Sequence, residues 1–320
     1  MPDCADRAAA DDAAVVRRAF LWACGLDVQA RKPGNVSNAS AGHRMQAGQF
    51  IESAAAAVEP LCRPAASVGE RIESAVRATR ARVQCNTNLG IVLLCAPIAA
   101  AWERRRRGGL RGGLVETLAG LDAEDARAAY RAIACARPAG LGSVPAQDVV
   151  DVPTQGLREA MALAADRDRI AWQYAHDFGD VFDPGVTAFE QAQGGIGDPG
   201  AAPVAAMQRV FLEFLATWPD SHIARKHGMA LAHSVMAEAR PWLARARRGD
   251  VLDDDPAFAE WDESLKRQGL NPGTSADLCV ATALAWALGK SCATVTAGMP
   301  DAIRLPGTQR FYADDPARNM

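Results

Sequence analysis

Apolar residues recur every three to four positions along most of the chain and almost nowhere alternate with polar ones. Behind Asp11 and Asp12, the positions Val15, Val16, Ala19, Phe20, Ala23 and Leu26 fall on one side of a helix. Ile72, Ala75, Val76, Thr79 and Val83 form a second stripe. It starts at Ser67 and Glu70, whose spacing fits a capping box, in which a hydroxyl and a carboxylate satisfy free amides. Leu89–Trp102 and Leu278–Leu288 are apolar almost all round, the pattern of helices buried on every side. The patterns predict helices over 11–30, 48–60, 68–84, 89–103, 123–136, 155–178, 203–217, 221–248, 256–269 and 275–289. Alanine dominates, and β-branched and aromatic residues never alternate for long, so no strand is expected. No fixed period repeats, which argues against a solenoid. The expectation is an all-α fold, a compact single-domain bundle of about ten helices. Residues 1–290 form the domain, Leu89–Ala101 and Leu278–Leu288 are central, and 291–320 is a tail packed on the surface or partly disordered.

Three stretches read as irregular connections: the basic, glycine-rich 104–113, then 138–153, then the glycine- and proline-rich 194–203. At 320 residues the chain is long enough to bury a large core without disulfides or metals. Its eight cysteines include no Cys-x-x-Cys pair, which argues against zinc and fits a reducing cytoplasm. The acidic, polar start is unlike a signal peptide, and no apolar run is long enough to span a bilayer. A net charge of −3 excludes a globally basic nucleic-acid binder but not a local basic pocket.

Small polar residues interrupt this pattern where chemistry could sit. Asn86-Thr87-Asn88, with Gly90 behind, precedes the apolar run of the central helix. Such a break either caps the helix or holds an anion at its positive end. Asp220-Ser221 starts another helix, on which His222, Arg225, Lys226 and Met229 share one face. That face is either solvated or a phosphate clamp. Asn271-Pro272-Gly273 is a tight turn, and Thr274 with Asp277 resembles a capping box. Asp277 is then either a cap partner or a metal ligand. Asp166, Arg169, Gln173 and Asp177 fall on one face of the helix expected over 155–178, and either lace an outer surface or hold magnesium through water.

Four of these stretches, in order, carry a resemblance. They are Lys32-Pro33-Gly34-Asn35-Val36, Asn86-Thr87-Asn88-Leu89-Gly90, 220–228 (DSHIARKHG) and 271–278 (NPGTSADL). Together they resemble the triphosphoribosyl-dephospho-CoA synthase family, and Gly42-His43-Arg44-Met45 and Phe50-Ile51-Glu52-Ser53 look like its segment after the Pro-Gly turn. Citrate lyase and malonate decarboxylase members carry Asn-Thr-His at the central break. Asn86-Thr87-Asn88 departs from that and is similar to a divergent branch of archaea and methylotrophs.

The resemblance implies a cytoplasmic enzyme that moves the triphosphoribosyl group of ATP onto dephospho-CoA, with magnesium as cofactor. Its partners would be small molecules, ATP and dephospho-CoA or a related precursor, without nucleic acid or membrane. A homodimer is allowed. Two other readings are a transferase for another cofactor precursor, as on a methanopterin-type one-carbon pathway, and a helical protein that binds a nucleotide without turning it over. The expected phosphate and ribose contacts are Lys32, Asn35, Asn86, Thr87, Asn88, His222, Arg225 and Lys226. The expected acid–base residues are Glu70, Asp166 and Asp277, with Asp166 and Asp277 also the expected magnesium ligands.

Overall fold

The computed structural model of the chain describes residues 4–105, 108–136, 153–193 and 202–290. The expected tail at 291–320 and nearly all of the connections at 138–153 and 194–203 lie outside them. Among the described residues there are fourteen α-helices and no strand. They are α1 (Cys4–Gln29), α2 (Ala47–Leu61), α3 (Val68–Val83), α4 (Leu89–Arg104), α5 (Gly109–Ala119), α6 (Ala123–Ala136) and α7 (Leu157–Ala162). Then come α8 (Arg169–Ala175), a π turn (Val181–Gly185), α9 (Val186–Gln193), α10 (Ala202–Thr217), α11 (Ser221–His227), α12 (Met229–Arg247), α13 (Pro256–Arg267) and α14 (Gly273–Gly289).

The all-α expectation holds, and the count of about ten helices becomes fourteen for local reasons. The helix expected over 155–178 is two, because Asp168 turns its carboxylate onto the amides of Ile170 and Ala171 and starts α8 afresh. The helix expected over 221–248 breaks at Gly228, whose φ of +91° a helix cannot contain. The basic stretch 104–113 conceals the start of α5. Two of its arginines are paired: Arg105 with Asp12 at 2.6 Å, over the Trp102 ring, and Arg111 with Asp183 at 2.7 Å. The run from the π turn through α9 is helical too.

The central pair is as the apolar pattern predicts. Every residue of α4 from Leu89 to Trp102 is buried. In α14 only Asp277 and Trp286 interrupt a buried run from Thr274 to Leu288. The two helices pack on each other, with α1 and α10 against α14 and with α3 and α5 against α4. One contiguous hydrophobic core reaches from Val16 to Leu288. A half-buried carboxylate near the start of a central helix opposes the burial of its neighbours, and it marks where the polar chemistry lies.

Candidate active site

The site is assembled from turns that the chain brings together at the starts of α4, α11 and α14. The turn after α1 comes first. Gly34 has φ +82°, and a Cβ there would lie 2.7 Å from the Leu270 carbonyl and 2.8 Å from the Pro272 ring. Only glycine lets these two turns touch. Asn35 Nδ2 then donates to Asn271 Oδ1 at 2.9 Å, and the Gly34 amide donates to Asp262 Oδ1 at 2.9 Å.

Asp220 joins α11 to α14. It is buried, and Oδ1 accepts from the amides of His222 (2.9 Å) and Ile223 (3.1 Å), which caps α11. Oδ2 accepts from the amide and hydroxyl of Ser275, both at 2.8 Å, so the same carboxylate serves the first turn of α14. Asp168 repeats the design. Oδ1 caps α8, and Oδ2 accepts from Arg225 Nη1 at 3.2 Å. The next residue, Arg169, donates its amide to Ser221 Oγ at 2.8 Å. Its guanidinium pairs with Asp180 at 2.6 and 2.9 Å and lies between the Trp172 and Trp218 rings, at 3.8 and 4.1 Å.

Asp277 stands where these elements meet. Its carboxylate accepts no hydrogen bond among the described residues, unlike those of Asp168 and Asp220. It lies directly over α4: a Cβ on Gly90 would be 2.0 Å from Asp277 Oδ2 and 2.8 Å from Ile170 Cδ1. Burial holds the Asp277 carboxyl far above the usual carboxylate range. Asp27, Asp220 and Asp168 add repulsion, and Arg225 opposes it. Asp277 forms no ion pair among the described residues, and Arg225 is the cation whose field reaches it.

Beside it lies the basic face of α11. His222 is pushed down to about 4, first by burial and then by Arg225, Lys226, His43 and His227. A neutral imidazole among cations marks a locally positive field, the environment that receives an anion. Lys226 is exposed and makes no ion pair among the described residues.

The structure places the remaining expected residues as follows. Lys32 is fully buried with its ammonium 3.1 Å from Asp27 Oδ1 and also donates to the Asp27 carbonyl, so it braces the turn from inside. Asn86 caps α4 through the Leu89 amide at 3.2 Å. Thr87 bonds the Ser53 hydroxyl, and Asn88 Nδ2 donates to Thr79 Oγ1 at 3.1 Å and the Ser53 carbonyl at 3.4 Å. Thr87 and Asn88 thereby tie α4 to α2 and α3, while Asn86 bonds within its own segment. Thr274 and Asp277 form no capping box, because α14 starts at Gly273 with its amides turned to Asp220.

Glu70 is the capping-box partner of Ser67, exposed and nine residues from Thr79 along α3, about 14 Å away. Asp166 is 82% exposed in the turn before α8, beside Arg167, and shares no helical face with Arg169. Neither joins Asp277. No group of three or more His, Cys, Asp or Glu among the described residues is placed to hold a metal. Residues not foreseen are Asp27, Asp168 and Asp180. Asp168 precedes an apolar helical start, which is a cap signal, and Asp27 falls on the apolar stripe of Phe20 and Ala23.

The assembled turns are those that carry the resemblance, and comparison with known proteins decides what it means. The family model for ATP:dephospho-CoA triphosphoribosyl transferase (CitG) matches residues 13–294. The chain belongs to this family. Its triphosphoribosyl transferase membership makes the chain an enzyme, and the family's substrates are the small molecules in its name. The fold is also that of a crystal structure from Archaeoglobus fulgidus, named as a candidate triphosphoribosyl-dephospho-CoA synthase. The TM-score is 0.57 and the identity 22%, covering 74% of this chain and 98% of that one. No curated protein matches the chain. No helix among the described residues is long and apolar enough to cross a membrane.

Proposed function

We propose that this transferase moves the 5′-triphosphoribosyl group of ATP onto the 2′-hydroxyl of 3′-dephospho-CoA. The bond from C1′ to the adenine nitrogen breaks and a bond from the acceptor oxygen to C1′ forms. The hydroxyl proton leaves the acceptor, adenine gains one, and the triphosphate travels intact. The observation that carries this reading is the bare Asp277 carboxylate beside the basic face of α11. His222, Arg225 and Lys226 offer donors to a polyphosphate. Once a cation beside it favours the ionised form, Asp277 offers negative charge to a sugar carbon that turns cationic as the glycosidic bond breaks.

The donor set also suits magnesium arriving with ATP. One free carboxylate is enough, because magnesium keeps waters and takes phosphate oxygens as further ligands. Bound there, the ion would neutralise phosphate charge; Asp277 would hold it, without Asp166. Asp220 and Asp168 would keep α11 and Arg225 in place.

Adenine release tests the proposal. Purified protein with ATP, magnesium and dephospho-CoA should yield adenine and an acceptor heavier by one triphosphoribosyl group. ATP binding without adenine release would make the chain a nucleotide-binding protein instead. Adenine release that dephospho-CoA does not stimulate would point to another acceptor.

A further inference from the structure

The connection from α1 to α2 contains a turn that the fold alone does not explain. Gly42 and Met45 exchange two backbone hydrogen bonds, 3.1 and 2.8 Å, and the residues between them, His43 and Arg44, have φ of +54° and +63°. This is a two-residue turn of the type that strongly favours Asn-Gly, because both central residues are left-handed. A histidine and an arginine there strain the backbone, and such strain persists where the side chains are needed.

The His43 side chain faces the site, and Arg44 is the next residue in the same turn. His43 Nε2 donates to the Gly34 carbonyl at 2.7 Å, which ties this turn to the one that packs on Asn271-Pro272-Gly273. Burial lowers the His43 pKa, and Lys226 of α11 and Lys266 of α13 lower it further. His43 and His222 also repel each other when charged. Arg44 is exposed and forms no ion pair among the described residues. Nearby, Lys266 is taken by Asp262 at 2.9 Å. Arg44 and Lys226 are thus cations without a carboxylate partner among the described residues; Arg44 adjoins His43 in the chain and Lys226 acts on it from α11.

We propose that the His43-Arg44 turn is a phosphate-binding arm of the active site, facing α11 and gripping the phosphate chain of an organic di- or triphosphate. It rests on the transferase reading above. The chain could be the triphosphate of ATP or the diphosphate of dephospho-CoA, and both present the same chemistry to a guanidinium.

The test is calorimetric titration of the full chain with ATP and, separately, with dephospho-CoA. It compares wild type, Arg44→Gly and the double variant His43→Asn/Arg44→Gly, each with its thermal midpoint. Asn-Gly relieves the turn, so Tm should hold or rise in the double variant. Affinity for at least one ligand should fall about tenfold in Arg44→Gly and further in the double variant. Loss for ATP assigns the arm to the donor, and loss for dephospho-CoA assigns it to the acceptor. Unchanged affinities for both ligands in Arg44→Gly, an exposed substitution that leaves the core intact, would overturn the proposal whatever happens to Tm. Wild type that binds neither ligand would instead sink the transferase reading, and the arm with it.

Discussion

Gly90→Ala probes the site without touching a charged group. The new Cβ would start 2.0 Å from Asp277 Oδ2 and 2.8 Å from Ile170 Cδ1, and contacts under 3.0 Å are not sustained. Asp277 Oδ2 must therefore retreat by about 1 Å, and Cγ, which would lie 2.6 Å from the new Cβ, must move with it, so the whole carboxylate is displaced. The stability cost is that of mild overpacking, about 1–3 kcal/mol. It is offset by roughly 1 kcal/mol, because alanine suits a helix better than glycine. The net loss should be at most about 2 kcal/mol, which leaves the protein folded. Activity should suffer far more, since a misplacement of about 1 Å at a reacting centre costs on the order of a hundredfold. Denaturant unfolding gives the first number, and the rate of adenine release from ATP with dephospho-CoA gives the second. A folded Gly90→Ala variant with wild-type kcat and KM would refute the placement of chemistry at Asp277.

Three further outcomes follow from the geometry. Arg225→Ala should weaken ATP binding about tenfold to a hundredfold, the worth of a charge-assisted hydrogen bond of about 1.5–3 kcal/mol, read by titration. Asp220→Ala strips the acceptor from three amides and a hydroxyl on two helices. It should cost about 3 kcal/mol or more in urea unfolding, against about 1 kcal/mol for an ordinary cap. His222 titrates near 4 when folded against 6.5 when free, so the unfolded chain takes the proton first. Its contribution to stability is complete above pH 6.5, declines as pH falls towards 4, and changes no further below that. His222→Asn should flatten that window of the stability–pH curve. An identical slope in both proteins would show that the imidazole is not held neutral.

Much of the fold is legible in the sequence because it rests on local patterns. The starts of α3 at its capping box and of α11 at Asp220, and the all-round burial of α4 and α14, follow from periodicity and caps. The errors arise where one residue overrides a pattern: Asp168 restarts a helix, Gly228 divides another, and paired arginines conceal α5. The site is less legible, because its key contacts join residues far apart in the chain. Asp220 reads correctly as a cap, but its second oxygen on Ser275 is invisible locally. Asn88 reads locally as a cap or an anion contact, and its bond to Thr79 on α3 is not visible in the sequence. Asp277 looks like a cap partner, and α14 leaves it uncapped over Gly90. Glu70 shows the opposite case, where the local reading as a capping-box partner is what the structure forms.

The proposed charged centre of triphosphoribosyl transfer is the Asp277 carboxylate. The most direct measurement is the rate of adenine release by Asp277→Asn, with ATP, magnesium and dephospho-CoA saturating and the fold checked by circular dichroism. The substitution keeps the side-chain shape and removes the charge. A rate at least a hundredfold below wild type, in a protein that is folded and still binds ATP, is the predicted result. Wild-type turnover by folded Asp277→Asn would contradict the account.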